Sequence, residues 1–223
     1  MGKRGQVTIY VIIAIVIVAA VVLIYVYYPS IQTITSGDIN PTNFLQNRLE
    51  NPIKSGVVLL SSQGGYSEPE GFILYNGNKI KYLCYNAQYY LPCNVQQPMI
   101  KQNFEQELAE LIQADVESAF SDLKSQYERR GYDVSSSNVI KTSVEIVPEK
   151  IKIKIDSPLS VSKETSQTYN DFEIEFPSKM YFLLMTSTSI IDYEATYGDS
   201  ETSLYIQYYP NLIIHKNKLG DGS

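Results

Sequence analysis

The chain has 223 residues, with 18 Lys and Arg against 24 Asp and Glu, so it carries a formal net charge of −6 at pH 7. This acidic balance argues against nucleic acid and against anionic lipid as partners. Two cysteines and one histidine supply few metal ligands, and we expect no cofactor.

Residues 7–28 form a continuous apolar run without a charged side chain. As a helix that rises about 1.5 Å per residue, the run is about 33 Å long, which is enough to cross a hydrocarbon core about 30 Å thick. A secretory signal peptide has a shorter apolar region, of about 7–15 residues, and a small-residue cleavage site that is missing here. We therefore predict that residues 1–28 are a cytoplasmic tip and a transmembrane helix; a buried core helix is the alternative.

The residues that flank this run predict its orientation. Lys3 and Arg4 precede it, and Tyr25, Tyr27 and Tyr28 lie at its other end. Basic residues favour the cytoplasmic side and tyrosines favour the membrane interface, so the three tyrosines are predicted interface anchors. The expected location is the cell membrane, crossed once, with the N-terminus in the cytoplasm and the rest of the chain outside. Without Lys3 and Arg4, that exterior part keeps 16 of the 18 basic residues and all 24 acidic ones, a formal charge of −8.

The exterior part begins with a polar segment, residues 29–43, which predicts a stalk or linker. From Phe44 onward, apolar residues recur three and four positions apart. This spacing predicts an amphipathic helix with Thr42 or Asn43 as its N-cap and a Gly-Gly pair at its end. Pro52 lies inside the pattern and predicts a kink or a junction of two shorter helices.

The next segments predict a hairpin and a disulfide. Asn76 and Gly77, between two apolar runs, are typical of a tight hairpin turn. Cys84 and Cys93 then lie close together in the predicted exterior, where an oxidising environment favours a local disulfide. Closing so short a loop stabilises a fold by roughly 2–3 kcal/mol at most. A reactive thiol pair or half of a zinc site is the alternative.

Helical periodicity is longest between Phe104 and Tyr127, where it predicts a helix that ends at a glycine. This helix precedes a β-rich half of the chain. The exterior domain, residues 44–223, is therefore expected to be one unit or to divide into the subdomains 44–132 and 133–223.

Period-two patterns follow the long helix. They predict a hairpin that turns at residues 148–149 and a strand over residues 172–176. Residues 177–198 predict either a helix or a strand pair, and residues 203–215 predict one final strand or two. The predicted fold class is α+β: an antiparallel sheet packed with two or three amphipathic helices, after the transmembrane helix.

No segment matches a catalytic motif. His215 stands alone near the C-terminus, and Ser-x-x-Lys spacing at Ser121 and Ser160 lacks the companion motifs of the enzymes that use it. Glu107 and Glu110 lie three residues apart on the long helix, where they either share a cation or, as we favour, face solvent. We therefore predict that the protein is not an enzyme.

Tyrosine is the unusual feature of the composition, with 19 Tyr and no Trp. Tyrosine offers a large rigid contact area with a polar tip, which suits binding interfaces. Its high β propensity suits half-exposed strands as well. The predicted interface aromatics are Tyr82, Tyr85, Tyr89, Tyr90, Tyr205, Tyr208 and Tyr209.

The stretch KRGQVTIYVIIAIVIV resembles the class III signal sequence of archaeal type IV pilin-like proteins. The resemblance implies that a prepilin peptidase recognises Lys3, Arg4, Gly5 and Gln6 and cuts after Gly5. Over residues 4–158, the chain is also similar in pattern to uncharacterised membrane-anchored surface proteins of small-genome (DPANN-type) archaea. That likeness implies an archaeal surface setting and carries no activity.

Together these observations predict a membrane-anchored structural or assembly protein of the cell envelope, whose exterior domain binds copies of itself or other envelope proteins. A pilin-like filament subunit cleaved after Gly5 is the first alternative. An envelope module that binds or hydrolyses carbohydrate is the second, since clustered tyrosines suit sugar stacking and carboxylate pairs hydrolyse glycosides.

Overall fold

The computed structural model of the protein describes residues 39–88 and 90–217. Within these ranges, no helix is long and apolar enough to cross a membrane. Several sequence predictions lie outside the described residues: the transmembrane helix, most of the linker, the processing site Lys3, Arg4, Gly5 and Gln6, the anchors Tyr25, Tyr27 and Tyr28, and Tyr89.

The first described helix, α1, spans Pro41–Ser62 and begins earlier than the periodicity predicts. Its N-cap is Asn40, whose Oδ1 accepts a hydrogen bond from the Asn43 amide at 3.0 Å, so the prediction of Thr42 or Asn43 as N-cap is wrong. Pro41 occupies the first turn, where a missing N–H costs nothing. The helix also runs through Pro52 as one element, without the predicted junction.

Two short antiparallel ribbons connect α1 to the next helix. Strands β1 (Phe72–Tyr75) and β2 (Asn78–Lys81) form the predicted hairpin, and both turn residues, Asn76 and Gly77, have positive φ. This is the backbone that a two-residue hairpin turn requires. Strands β3 (Cys84–Tyr85) and β4 (Asn94–Val95) form the second ribbon, which the Cys84–Cys93 bond closes, so the predicted disulfide is confirmed.

The long helix α2 spans Ile100–Arg129 and lies in the interior along most of its length. It contacts α1, the strands β5 and β6 described next, and helix α3. The predicted apolar face is largely correct, although Leu111 is half-buried and Val116, which the pattern missed, is fully buried. The buried residues of α2 are Ile100, Phe104, Leu108, Ile112, Val116, Ala119, Phe120, Leu123 and Tyr127.

The main sheet has three antiparallel strands in the order β10-β7-β6. They are β6 (Lys141–Val147), β7 (Lys150–Asp156) and β10 (Phe172–Pro177), which include the predicted hairpin and the predicted strand over residues 172–176. One face buries apolar side chains such as Ile153 and Ile174. The opposite face carries ion pairs between strands, for example Lys150 with Glu175 at 2.7 Å.

A second three-stranded sheet, in the order β5-β8-β9, is absent from the sequence predictions. Its strands are β5 (Asp133–Ser136), β8 (Leu159–Ser162) and β9 (Ser166–Tyr169). They are only four residues long and rich in serine, so their few β-branched and aromatic residues do not form the alternating pattern that marks a strand in a sequence. Tyr169 of β9 stacks on Phe172 at 5.7 Å between ring centroids, which fixes this sheet to the core.

The chain ends in two helices, α3 (Met180–Tyr197) and α4 (Ser203–Tyr208). The helical alternative for residues 177–198 is thus confirmed, whereas the predicted final strand over residues 203–215 is wrong. Ser187 and Thr188 fit inside α3 because each hydroxyl donates to the carbonyl four residues earlier, at 2.9 Å. The α+β class with antiparallel sheets is confirmed, with four helices in the described part instead of two or three.

Gly56 marks the closest approach of α1 to α2. A Cβ atom at this position would lie 2.8 Å from Cδ1 of Leu108, which real Cβ atoms essentially never show. We expect Gly56→Leu to overpack the contact and to lower the free energy of unfolding by about 1–3 kcal/mol, measured by urea titration. Ser55→Leu, one residue away on the exposed side of α1, is the matched control and should change it by no more than about 0.5 kcal/mol. Equal losses in the free energy of unfolding of the two variants would contradict the close contact between Gly56 and Leu108.

The charged face of the main sheet predicts a pH dependence. The hydrogen bond from Lys150 holds the pKa of Glu175 below its ordinary value, with further lowering from the charges of Lys150 and Lys152. A lowered pKa stabilises the fold above the unfolded-state pKa, and this stabilisation is lost as the pH falls below about 4. Glu175→Gln should therefore lower the urea midpoint at pH 7 and have a smaller effect at pH 3. A difference in urea midpoint between the variant and the wild type that is the same at pH 7 and pH 3 would contradict the role of the ion pairs.

Candidate interaction surface

Helix α3 is apolar around most of its circumference but is poorly covered. Its sequence, MYFLLMTSTSIIDYEATY, has only three buried residues, Met180, Leu184 and Thr186. A helix that is hydrophobic all round is normally buried inside a protein. Its incomplete burial leaves apolar surface that the described chain does not cover.

Three exposed apolar or aromatic side chains and one half-buried isoleucine form a line along α3. Leu183, Ile190, Tyr193 and Tyr197 lie seven, three and four residues apart, which places them on one face of the helix. Leu183 and Tyr193 are each 43% exposed, Tyr197 is 76% exposed, and Ile190 is half-buried. The rings of Tyr193 and Tyr197 lie 5.0 Å apart between centroids. We call these four residues the α3 stripe.

Helix α4 and the residue after it touch α3 through two side-chain contacts and add a second exposed apolar group. The Tyr205 and Ser189 hydroxyls form a hydrogen bond of 2.9 Å, and the Tyr209 ring meets Phe182 edge-on with 4.8 Å between centroids. These contacts explain why a segment of high β propensity forms a helix: packing on α3 overrides local preference. The exposed side chains of α4 and the residue after it are Leu204, Ile206, Tyr208 and Tyr209.

A pocket of about 270 Å³ opens between the end of α3 and α4. We call it the tyrosine pocket. Its lining consists of Tyr193, Ser200, Glu201, Leu204, Tyr205, Tyr208 and Tyr209. Thus three of the predicted interface aromatics, Tyr205, Tyr208 and Tyr209, meet here with Tyr193, which the sequence reasoning missed.

Two polar residues of the tyrosine pocket differ in their hydrogen bonding. Hydrogen bonds from the Ser203 hydroxyl and amide hold the pKa of Glu201 below its ordinary value, so this carboxylate stays ionised at neutral pH. Ser200 is buried, and its hydroxyl has no hydrogen-bond partner within the described part of the chain. The nearby Lys216 donates to the Ser200 carbonyl at 2.9 Å and forms ion pairs with Asp199 and Glu194.

The disulfide ribbon lies at another part of α3. Strands β3 and β4 both contact α3, and the exposed side chains on or beside them include Tyr82, Tyr85 and Tyr90. The Tyr82 and Tyr85 rings meet edge-on at 5.9 Å between centroids. A second pocket, also of about 270 Å³, brings Leu83 of this ribbon together with Leu183 of the α3 stripe. The structure therefore places the ribbon that carries Tyr85, and the pocket lined by Tyr205, Tyr208 and Tyr209, along the same helix.

The residues considered for catalysis do not come together. His215 is exposed in the irregular segment after α4, and Glu107 accepts hydrogen bonds from the amide and hydroxyl of Ser67. Of the Ser-x-x-Lys lysines, Lys124 lies over the Phe120 ring and Lys163 donates to the carbonyl of Arg130. Among residues 39–88 and 90–217, no group of three or more His, Cys, Asp or Glu side chains is arranged to hold a metal ion.

Comparison of the chain with protein-family models, with curated proteins and with solved structures gives no match. Functional interpretation therefore depends on the surface of α3 and α4 and on the N-terminal sequence.

The disulfide predicts a measurable contribution to stability. Because it closes a loop between residues only nine positions apart, removing it should lower the free energy of unfolding by about 2–3 kcal/mol at most. The double variant Cys84→Ser/Cys93→Ser, compared with the oxidised protein by urea titration, measures this loss. Reductant should shift the wild-type midpoint towards that of the variant and leave the variant unchanged. A wild-type midpoint that does not respond to complete reduction would contradict the contribution.

Proposed function

We propose that the protein is a single-pass protein of an archaeal cell envelope, anchored by residues 7–28 with its N-terminus in the cytoplasm. In this proposal the exterior domain is an assembly module that binds a second copy of itself through the α3 stripe. The observation that carries the proposal is the stripe itself: four apolar or aromatic side chains in a line on a poorly buried helix. The bilayer and neighbouring copies are then its partners.

The charge distribution restricts contact between two copies to an uncharged surface such as this stripe. The predicted exterior part carries a formal charge of −8, so two copies repel each other over most of their surfaces. The stripe has no charged member, and a line of apolar residues at helical spacing is complementary to the same line on another helix. Tethering in a membrane raises the effective concentration of the copies, so a weak contact suffices.

A second candidate function is suggested by the junction at Gly5 and Gln6. A basic start, this Gly-Gln pair and the apolar run suit a pilin-like subunit that is cut and assembled into a filament. The two functions differ in the N-terminus of the mature chain. The anchored protein keeps Lys3 and Arg4, whereas the filament subunit begins at Gln6.

The assembly function predicts that charge in the α3 stripe prevents association. Leu183→Glu/Tyr197→Glu places two like charges in the contact, and we expect at least about tenfold weaker self-association of the full chain in detergent micelles. Analytical ultracentrifugation over a concentration series measures the association. Val58→Glu/Val139→Glu is the matched control, since both residues are exposed and lie outside the stripe. Wild-type protein that stays monomeric, or equal association of both double variants, would overturn the proposal.

The anchor predicts the mass of the native protein. Intact-mass spectrometry of the full chain, extracted from its native membrane without reductant, should give a chain that starts at Met1 or Gly2 and is two hydrogens lighter than the reduced form. A chain that starts at Gln6 would replace the anchored function by the pilin-like one.

A further inference from the structure

We propose that the tyrosine pocket binds an organic cation, namely an alkylated ammonium group. The pocket is concave, of about 270 Å³, and four of its seven lining residues are tyrosines. Leu183 and Tyr197, the two residues of the α3 stripe that the self-association test changes, do not line this pocket.

The aromatic lining supplies the attraction. The face of an aromatic ring is electrically negative, and a cation within about 6 Å of the ring centre is attracted to it, more strongly when water is excluded. An alkylated ammonium group combines this charge with an apolar surface that fills a tyrosine-lined pocket. The fifth large side chain of the lining, Leu204, adds only apolar contact.

The charges of the pocket favour a cation over a neutral or anionic ligand. Glu201 is its one acidic member; like any carboxylate of ordinary pKa it is ionised at neutral pH, and two hydrogen bonds from Ser203 lower its pKa further. No lysine or arginine lines the pocket. Lys216, which donates to the carbonyl of the lining residue Ser200, is already paired with Asp199 and lies 3.7 Å from Glu194, so it does not leave the pocket positive.

The polar groups of the pocket suit a sugar less well. A sugar ring needs several hydrogen-bond partners, and buried polar groups without partners cost free energy. Here the Tyr205 hydroxyl is bonded to Ser189 and the Ser200 hydroxyl is buried, so the remaining polar groups of the lining are the Glu201 carboxylate and the hydroxyls of Tyr193, Tyr208 and Tyr209. Hydrolysis of a glycoside also needs a pair of carboxylates, and Glu201 is the only one in this lining.

The test compares choline with 3,3-dimethylbutan-1-ol, which has the same shape but no charge. Isothermal titration of the full chain in detergent micelles should show choline binding at least about fivefold tighter than the neutral alcohol, since that difference reports the cation. Tyr208→Leu and Glu201→Gln should each weaken choline binding by about threefold or more. Tyr90→Leu, an exposed tyrosine beside the disulfide ribbon and outside the pocket, is the matched control and should leave the affinity unchanged.

Equal binding of choline and the neutral alcohol, or no choline binding at all, would overturn the proposal. Binding of glucose or galactose in place of choline would also overturn it in favour of a sugar. Titration with phosphatidylcholine vesicles separates two sources of the same cation. Vesicle binding that free choline displaces assigns the site to a lipid headgroup, and choline binding without vesicle binding assigns it to a soluble cation.

Discussion

The fold depends on one constraint: helix α2 must bury nearly every turn of its length. Its buried side chains recur at helical spacing from Ile100 to Tyr127, and α1, α3, β5 and β6 all contact it. Two of its polar side chains also satisfy the backbone at the edge of the main sheet. Glu105 accepts from the Ile146 amide at 2.6 Å, and Gln113 donates to the Ile140 carbonyl at 3.0 Å. These bonds cover an edge that would otherwise present free amide and carbonyl groups.

The exposure of α3 follows from this arrangement. Helix α1 and the main sheet occupy most of the surface around α2, and α3 reaches α2, the disulfide ribbon and the main sheet with only part of its circumference. Its apolar composition exceeds what these contacts bury, because only Met180, Leu184 and Thr186 are fully covered. Tyr205 of the short helix α4 and Tyr209 just after it contact a further part of α3, and the α3 stripe remains. An apolar surface of this kind on a charged domain is typical of an interface.

Elements fixed by local chemistry were predictable from the sequence, and elements fixed by tertiary contacts were not. The Asn76-Gly77 turn and the long helix α2 follow from residue type and spacing alone. The final segment, by contrast, was predicted as a strand because Tyr and Ile favour strands, and its packing on α3 makes it helical. For the same reason, only some residues of the candidate site were predictable from the sequence. Composition singled out Tyr208 and Tyr209, whereas Leu183 lies in an apolar segment, for which a sequence predicts burial.

The main sheet, the α3 stripe and the tyrosine pocket differ in the charges that they carry. On the main sheet, the ion pairs Lys150–Glu175, Lys152–Glu173 and Lys154–Asp171 keep the solvent face polar, and they do so with equal numbers of each sign. The surplus acidity therefore lies elsewhere on the chain and acts against contact between copies. The α3 stripe has no charged member, so in the proposed self-association it is a surface at which this repulsion is reduced. At the tyrosine pocket the same acidity has the opposite consequence, because Glu201 attracts a cation into a lining that contains no basic residue. In the two proposals, the excess of negative charge therefore favours an uncharged contact surface between copies of the chain and a cationic ligand in the tyrosine pocket.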